Sequence, residues 1–154
     1  MSLTELLSPK AVLASLRVNG KKQALQELSA RAAEISGLSE REIFDALLQR
    51  ERLGSTGVGD GVAIPHGKLA KCVEIFGVFG RLERPIDFES VDGLPVDLIF
   101  LLIAPENAGA DHLKALAQTA RTFRNQSLLA QLRATRDASA LFSLLAMTPT
   151  SNAA

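Results

Sequence analysis

The sequence predicts a single α/β domain in which helices cover both faces of a sheet, and three observations predict it. Helical periodicity fills the first and last parts of the chain, with a group of extended segments between them. One of those segments, Leu98 to Ile103, is so continuously apolar that both of its sides need covering. No internal repeat and no linker divides the 154 residues. Hydrophobic residues make up 47% and charged residues 22%, as in ordinary globular domains. A chain of this size buries roughly 70% of its unfolded surface.

Val12 to Val18 reads as an edge strand, although Ser8-Pro9 ahead of it also suits a first helical turn. From Gly20 to Ile35, Leu25, Leu28, Ala32 and Ile35 recur at helical steps, with Asn19 placed as the cap and Gly37 as the stop. Ser39 and Glu42 form a capping-box pair opening a second helix, with Ile43, Phe44, Leu47 and Leu48 facing the core and an end near Gly54. Gly54, Gly57, Gly59, Gly61 and Gly67 are too closely spaced for a helix or a long strand, which predicts a loop holding one short extended piece, Val62 to Ile64.

Val73 to Phe79 and Leu98 to Ile103 follow as strands, the second of them central. Pro85 to Phe88 is a shorter strand, Asp92-Gly93 is a turn, and Pro105 ends the central strand. From Asp111 a helix places Leu113, Leu116, Ala120 and Phe123 on one face. Leu128, Leu129 and Leu132 form a second helical group after Asn125, and a last helix carries Leu141, Phe142, Leu144 and Leu145. The domain is expected to span residues 1–147, with Thr148 to Ala154 a poorly ordered tail.

Charge and composition narrow the function. Lys plus Arg total 17 and Asp plus Glu total 17, so no net field favours nucleic acid or an anionic membrane. Trp and Tyr are absent, which removes two of the best base-stacking residues. The single cysteine, Cys72, excludes an internal disulfide and a paired-cysteine zinc site, and it suits a reducing compartment. The N-terminus lacks the basic region and apolar run of a signal peptide, and no stretch reaches 18 apolar residues. A cytoplasmic protein without membrane insertion is the expectation.

Three residues stand out as chemistry. His66 follows Ile64-Pro65, a stiff approach to the ring, and precedes Gly67, which leaves room for a second group. Neutral imidazole is a nucleophile that needs no further activation, but a loop histidine bonded to a nearby carbonyl fits equally well. His112 lies at a helix start, where exposed N–H groups favour an anion, or it is an exposed polar residue. Arg50 can swing a planar fork of donors over an anion, or it belongs with Glu51 and Arg52 to a solvated charge run.

Other chemistries lack their residues. Gly61 to Lys68 misses Walker A spacing, and Leu69 replaces its Ser or Thr. Gly57-x-Gly59-x-x-Val62 lacks the third glycine of the dinucleotide fingerprint. No His-Glu-x-x-His, Gly-x-Ser-x-Gly or metal-ligand cluster occurs. Cys72 reads as a small buried hydrophobe before it reads as a thiolate partner for His66.

The string from Arg50 through Gly54-Ser55-Thr56-Gly57 and Ile64-Pro65-His66-Gly67-Lys68-Leu69 resembles the active-site signature of enzyme IIA domains of the fructose/mannitol class in the bacterial phosphoenolpyruvate-dependent phosphotransferase system. Pro85-Ile86-Asp87-Phe88, Pro95-Val96-Asp97-Leu98 and His112-Leu113 also fall where that family has them. The resemblance implies a central mixed β-sheet flanked by helices. It implies that His66 accepts a phosphoryl group from an HPr-like phosphocarrier protein, with His112 beside it and Arg50 near the group. Ser55, Thr56, Gly57, Gly59, Gly61 and Gly67 are the expected phosphate loop, whose backbone N–H groups would help to position the charge. No metal or cofactor is expected, because the incoming phosphoramidate is already activated. Asp60 departs from the Asn of many members.

A free-standing IIA of this length is most similar to the nitrogen-type regulatory member. Its two phosphorylation states would bind different regulatory target proteins in nitrogen or potassium regulation. The alternatives are a sugar-type IIA subunit passing phosphate to a IIB domain for fructose or mannitol uptake, and a binding module that has lost transfer. Val58, Val62 and Leu69 are the expected apolar partner contacts around His66.

Overall fold

Leu98 to Ala104 is buried on both sides, and the sheet is built outward from it. The computed structural model describes residues 3–147, so the expectation for Thr148 to Ala154 lies outside the described residues. Strand β6 (Val96–Pro105) is the centre of a six-stranded mixed sheet. Strand β5 (Phe76–Ile86) runs antiparallel along one side of it, and β1 (Val12–Leu16) lies parallel to β5 as the edge that the sequence predicts. A 3-10 turn over Pro9–Ala11 precedes β1, so both signals read there are used, one after the other.

On the other side of β6, two short strands run parallel to it in line, β3 (Val62–Ala63) and β4 (His66–Leu69). Pro65 separates them because it has no N–H to continue the ladder, while its carbonyl still accepts from Leu102 N–H at 2.9 Å. Strand β2 (Gly57–Gly59) pairs antiparallel with β3. The glycine-rich segment therefore holds three short strands where one extended piece was expected. The partner that orders them is β6, which no local pattern reveals. Similarly, Val73 to Phe79 and Pro85 to Phe88 are not two strands. Phe76–Ile86 is continuous, and Val73 stands 88% exposed before it.

Helix α1 (Lys21–Ser36) buries Leu25, Leu28 and Ala32 as predicted and stops at Gly37, whose φ of 79° is the left-handed conformation that glycine adopts without strain. Its N-cap is Gly20 and not Asn19. The Asn19 N–H instead donates to Gln23 Oε1 at 2.8 Å, so a side chain from the first turn reaches back to it. Helix α2 (Glu40–Arg52) starts at Ser39, whose hydroxyl accepts the Glu42 N–H at 3.2 Å. Helices α4 (Gln126–Ala134) and α5 (Ala138–Ala146) are capped by Asn125 and Asp137 and bury Leu128, Leu129, Leu132, Leu141 and Leu145.

Helix α3 (Ala110–Thr122) keeps most of the predicted face, with Leu116 and Ala120 against the core and Phe123 buried just past its end, but Leu113 is 68% exposed, and His112, Ala115, Gln118, Thr119 and Thr122 are buried. The threonines tolerate burial because their hydroxyls donate within the helix, Thr119 to the Ala115 carbonyl at 2.8 Å and Thr122 to the Gln118 carbonyl at 2.9 Å. Among the described residues no helix is long and apolar enough to cross a membrane.

The two sheet faces follow from the register. On β5, a Cβ at Gly80 would touch Leu28 of α1, while neighbouring Phe79 stacks on Phe123 at the end of α3, ring centroids 6.1 Å apart. Adjacent strand residues point to opposite faces, so α1 and the end of α3 lie on opposite sides. Gly67 on β4 faces Ala46 of α2, and the register Gly67↔Ile103 and Gly80↔Ile99 puts α2 on the α1 side. The expectation of helices on both faces holds, and His66, one residue before Gly67, points to the α3 side.

Gly77 lies against Phe100, whose Cε1 would sit 2.6 Å from an added Cβ. Gly77→Ala is expected to lose about 1–3 kcal/mol by overpacking. Urea unfolding checks this, and an unmoved midpoint would show that Phe100 yields freely.

Candidate active site

The close approach of α2 to β4 brings the site together. Gly67 admits Ala46 at 3.1 Å from the position of a Cβ. One turn further along the same helix row, Arg50 reaches His66, donating from Nε to His66 Nε2 at 3.2 Å. Arg50 Nη1 also donates to the Gly54 carbonyl at 2.9 Å, which pins the guanidinium across the helix end.

The other ring nitrogen, His66 Nδ1, lies 2.9 Å from the Ile64 carbonyl oxygen. A carbonyl accepts only, so Nδ1 carries the proton, and Nε2 keeps the lone pair that Arg50 N–H meets. The ring is thus a neutral tautomer with Nε2 as its basic nitrogen. His66 begins β4 and is partly buried. The carbonyl bond that the sequence also allowed for this histidine is what leaves the lone pair on Nε2.

His112 enters from the first turn of α3, 5% exposed, its ring centroid 5.6 Å from that of His66 at an interplanar angle of 68°. His112 Nε2 is buried without a hydrogen-bond partner. The backbone N–H groups of Asp111 and His112 are engaged by the carbonyls of Ala108 and Gly109, so the free helix-start amides expected there are occupied.

Burial is the largest cause holding the His66 pKa below 6.5. The Ile64 carbonyl opposes it, Arg50 adds to the lowering, and Glu51 opposes. His112 is lowered by burial first, then by His66 and Lys68. Both rings therefore stay neutral as pH falls through 6.5. The unfolded chain binds protons there that the folded chain resists, so stability contributed above 6.5 is lost on acidification toward the folded values.

The structure brings Arg50, His66 and His112 together and distributes the expected phosphate loop differently. The Ser55 hydroxyl donates to the Phe88 carbonyl at 2.6 Å, and the Thr56 hydroxyl donates to Glu51 Oε2. Gly67 adjoins the ring. Gly57 and Gly59 belong to β2, and the Gly61 carbonyl accepts from Asp97 and Leu98 at the start of β6. His66 pairs instead with Leu102, about 13 Å further along β6.

Glu51 is no part of a solvated charge run. Its side chain is 5% exposed and ion-paired to Lys21 at 2.9 Å. The row Ile43, Leu47, Glu51 at steps of four is buried, so the helical period extended by one turn would have found it. Cys72 is buried, and its Sγ donates to the Glu74 carbonyl at 3.1 Å, which agrees with a structural cysteine. Burial pushes its thiol pKa up. Of the expected apolar contacts, Val58 is 52% exposed but Val62 and Leu69 are buried, so those two are not free to meet a partner; Leu53 and Leu113 are exposed. Among the described residues no group of three or more His, Cys, Asp or Glu side chains could hold a metal ion.

The site is thus a neutral, oriented imidazole with a guanidinium on one nitrogen and a second imidazole beside it. The family model for the phosphoenolpyruvate-dependent sugar phosphotransferase system, EIIA 2, matches residues 5–147, and the chain belongs to this family. Its likenesses include proteins of the nitrogen-regulatory type. It is 64% identical over 149 residues to the nitrogen regulatory protein of Bradyrhizobium diazoefficiens, covering 97% of both chains. The crystal structure of nitrogen regulatory protein IIA-Ntr from Neisseria meningitidis matches at a TM-score of 0.86 and 38% identity, covering 92% of this chain and 97% of that one. The fructose-specific EIIABC component of Bacillus subtilis is 33% identical over 133 residues, 86% of this chain but 21% of that protein.

The tautomer is directly measurable. Nitrogen-detected NMR of the histidine side chains is expected to show His66 protonated at Nδ1 and bare at Nε2 at neutral pH, with both rings titrating below 6.5. A bare Nδ1 would contradict the arrangement.

Proposed function

We propose that the protein is a phosphocarrier that takes a phosphoryl group onto His66 Nε2 from the phosphohistidine of an HPr-like protein, and that it acts as a nitrogen-type regulatory protein. The observation that carries this reading is the lock on the ring: Nδ1 is spent on Ile64, so Nε2 is the nitrogen available to phosphorus.

In the step, the Nε2 electron pair forms the new N–P bond as the donor's N–P bond breaks, and the donor imidazole leaves with that electron pair. Arg50 N–H occupies the Nε2 lone pair in the free protein, so the guanidinium must give up this bond and turn to a phosphoryl oxygen as phosphorus arrives. His112 Nε2, buried and unpaired, is the second donor for the transferring group. Exchange between two histidines is close to thermoneutral, so the group moves either way with partner concentration. The regulatory output is supported by the relatives: the nitrogen regulatory protein of Bradyrhizobium diazoefficiens is 64% identical, against 33% for the fructose component.

Incubation with phosphoenolpyruvate, an enzyme I and an HPr-like carrier is expected to give one acid-labile, base-stable phosphate, lost in His66→Ala. Arg50→Ala is expected to slow labelling about 10²-fold, the usual cost of losing a transition-state donor. Labelling that survives His66→Ala would place the acceptor elsewhere, and rapid loss of label to IIB domains would favour sugar uptake.

A further inference from the structure

The last turn of α2 grips the segment after it at two points. Arg50 donates to the Gly54 carbonyl, and the buried Glu51 carboxylate accepts from Thr56 twice, from its N–H at 3.1 Å and from its hydroxyl. Lys21, from the start of α1, supplies the counter-charge to Glu51 at 2.9 Å while lying 4.8 Å above the Phe88 ring. A buried carboxylate is costly unless paired and hydrogen-bonded, and here each oxygen has a donor.

The bonds continue beyond Thr56. Its carbonyl accepts the Ile64 N–H at 3.0 Å, and the Ile64 carbonyl accepts His66 Nδ1–H. Glu51 is thus joined to the His66 ring through Thr56 and Ile64, on the side of the segment away from its pairing with β6.

We propose that Glu51 is a positioning residue for His66, holding Thr56 so that the Ile64 carbonyl keeps the ring in the tautomer and orientation that direct Nε2 at phosphorus. This rests on the reading of His66 as the phosphoacceptor. The carboxylate has a second effect through space. A ring with Nδ1–H and Nε2 bonded to phosphorus is cationic, and a nearby negative charge favours that form; the same charge opposes the lowering of the His66 pKa.

The test compares the full chain with Glu51→Gln and Thr56→Val, by labelling rate and by NMR titration of His66. Glu51→Gln keeps an acceptor for the Thr56 N–H and removes the charge; Thr56→Val keeps the charge and removes the hydroxyl. The other charged or titratable groups about the ring, Arg50 on α2, Lys68 on β4 and His112 on α3, are the same in both. Glu51→Gln is expected to slow labelling on the order of 10- to 100-fold, as displacement of a reacting group does, and to move the His66 midpoint to lower pH. Thr56→Val is expected to slow labelling by a smaller factor with the midpoint unmoved.

Wild-type labelling rates in both variants, or an unmoved midpoint in folded Glu51→Gln, overturn the proposal. Should Glu51→Gln fail to fold, Thr56→Val decides, a wild-type rate overturning it. The titration needs no phosphate donor. Absence of labelling in the wild-type chain would therefore sink the phosphoacceptor reading, while the midpoint still reports on Glu51.

Discussion

The hydrogen bond from His66 Nδ1–H to the Ile64 carbonyl is the constraint on which the site turns. The Leu102 N–H of β6 goes to the Pro65 carbonyl, while Ile64 faces the other way, its N–H donating to Thr56 and its carbonyl accepting from the ring two residues on. Imidazole has two nitrogens and a mobile proton. Fixing that proton on one of them converts an ambiguous ring into a nucleophile with a defined direction.

What surrounds the ring follows from how closely three elements approach. Gly67 lets α2 settle against β4, and Arg50 then falls one turn beyond the contact. The sheet face opposite α2 belongs to α3, which buries His112 next to the ring and leaves Leu113 in solvent. That choice is unfavourable by hydrophobicity alone. It becomes tolerable because Thr119 and Thr122 satisfy their own hydroxyls within the helix and offer methyl groups to the core. Leu53, Val58 and Leu113 stand exposed to solvent.

Burial of polar groups also explains the electrostatics. His66 and His112 are kept neutral chiefly because a charged ring would lose hydration, with Arg50 and Lys68 adding to the effect. Glu51 works in the opposite sense, a charge kept inside by Lys21 and Thr56. Such an arrangement leaves the resting ring nucleophilic, and in the proposed transfer it offers some compensation once the ring gains positive character.

Much of this was legible from residue order. Leu98 to Ile103 could only be a doubly covered strand, Ser39 and Gly37 mark helix ends through local bonds, and Arg50, His66 and His112 stand in a recognisable signature. These are short-range properties: periodicity, caps and backbone angles need no knowledge of distant chain. The three strands of the glycine-rich segment, the continuous β5, the polar buried face of α3 and the Lys21–Glu51–Thr56 connection were decided by the tertiary structure. Each depends on a neighbour brought from elsewhere in the chain, and whether a glycine pairs, a threonine is buried or a glutamate is charged inside the protein is settled by that neighbour's hydrogen bonds and charge.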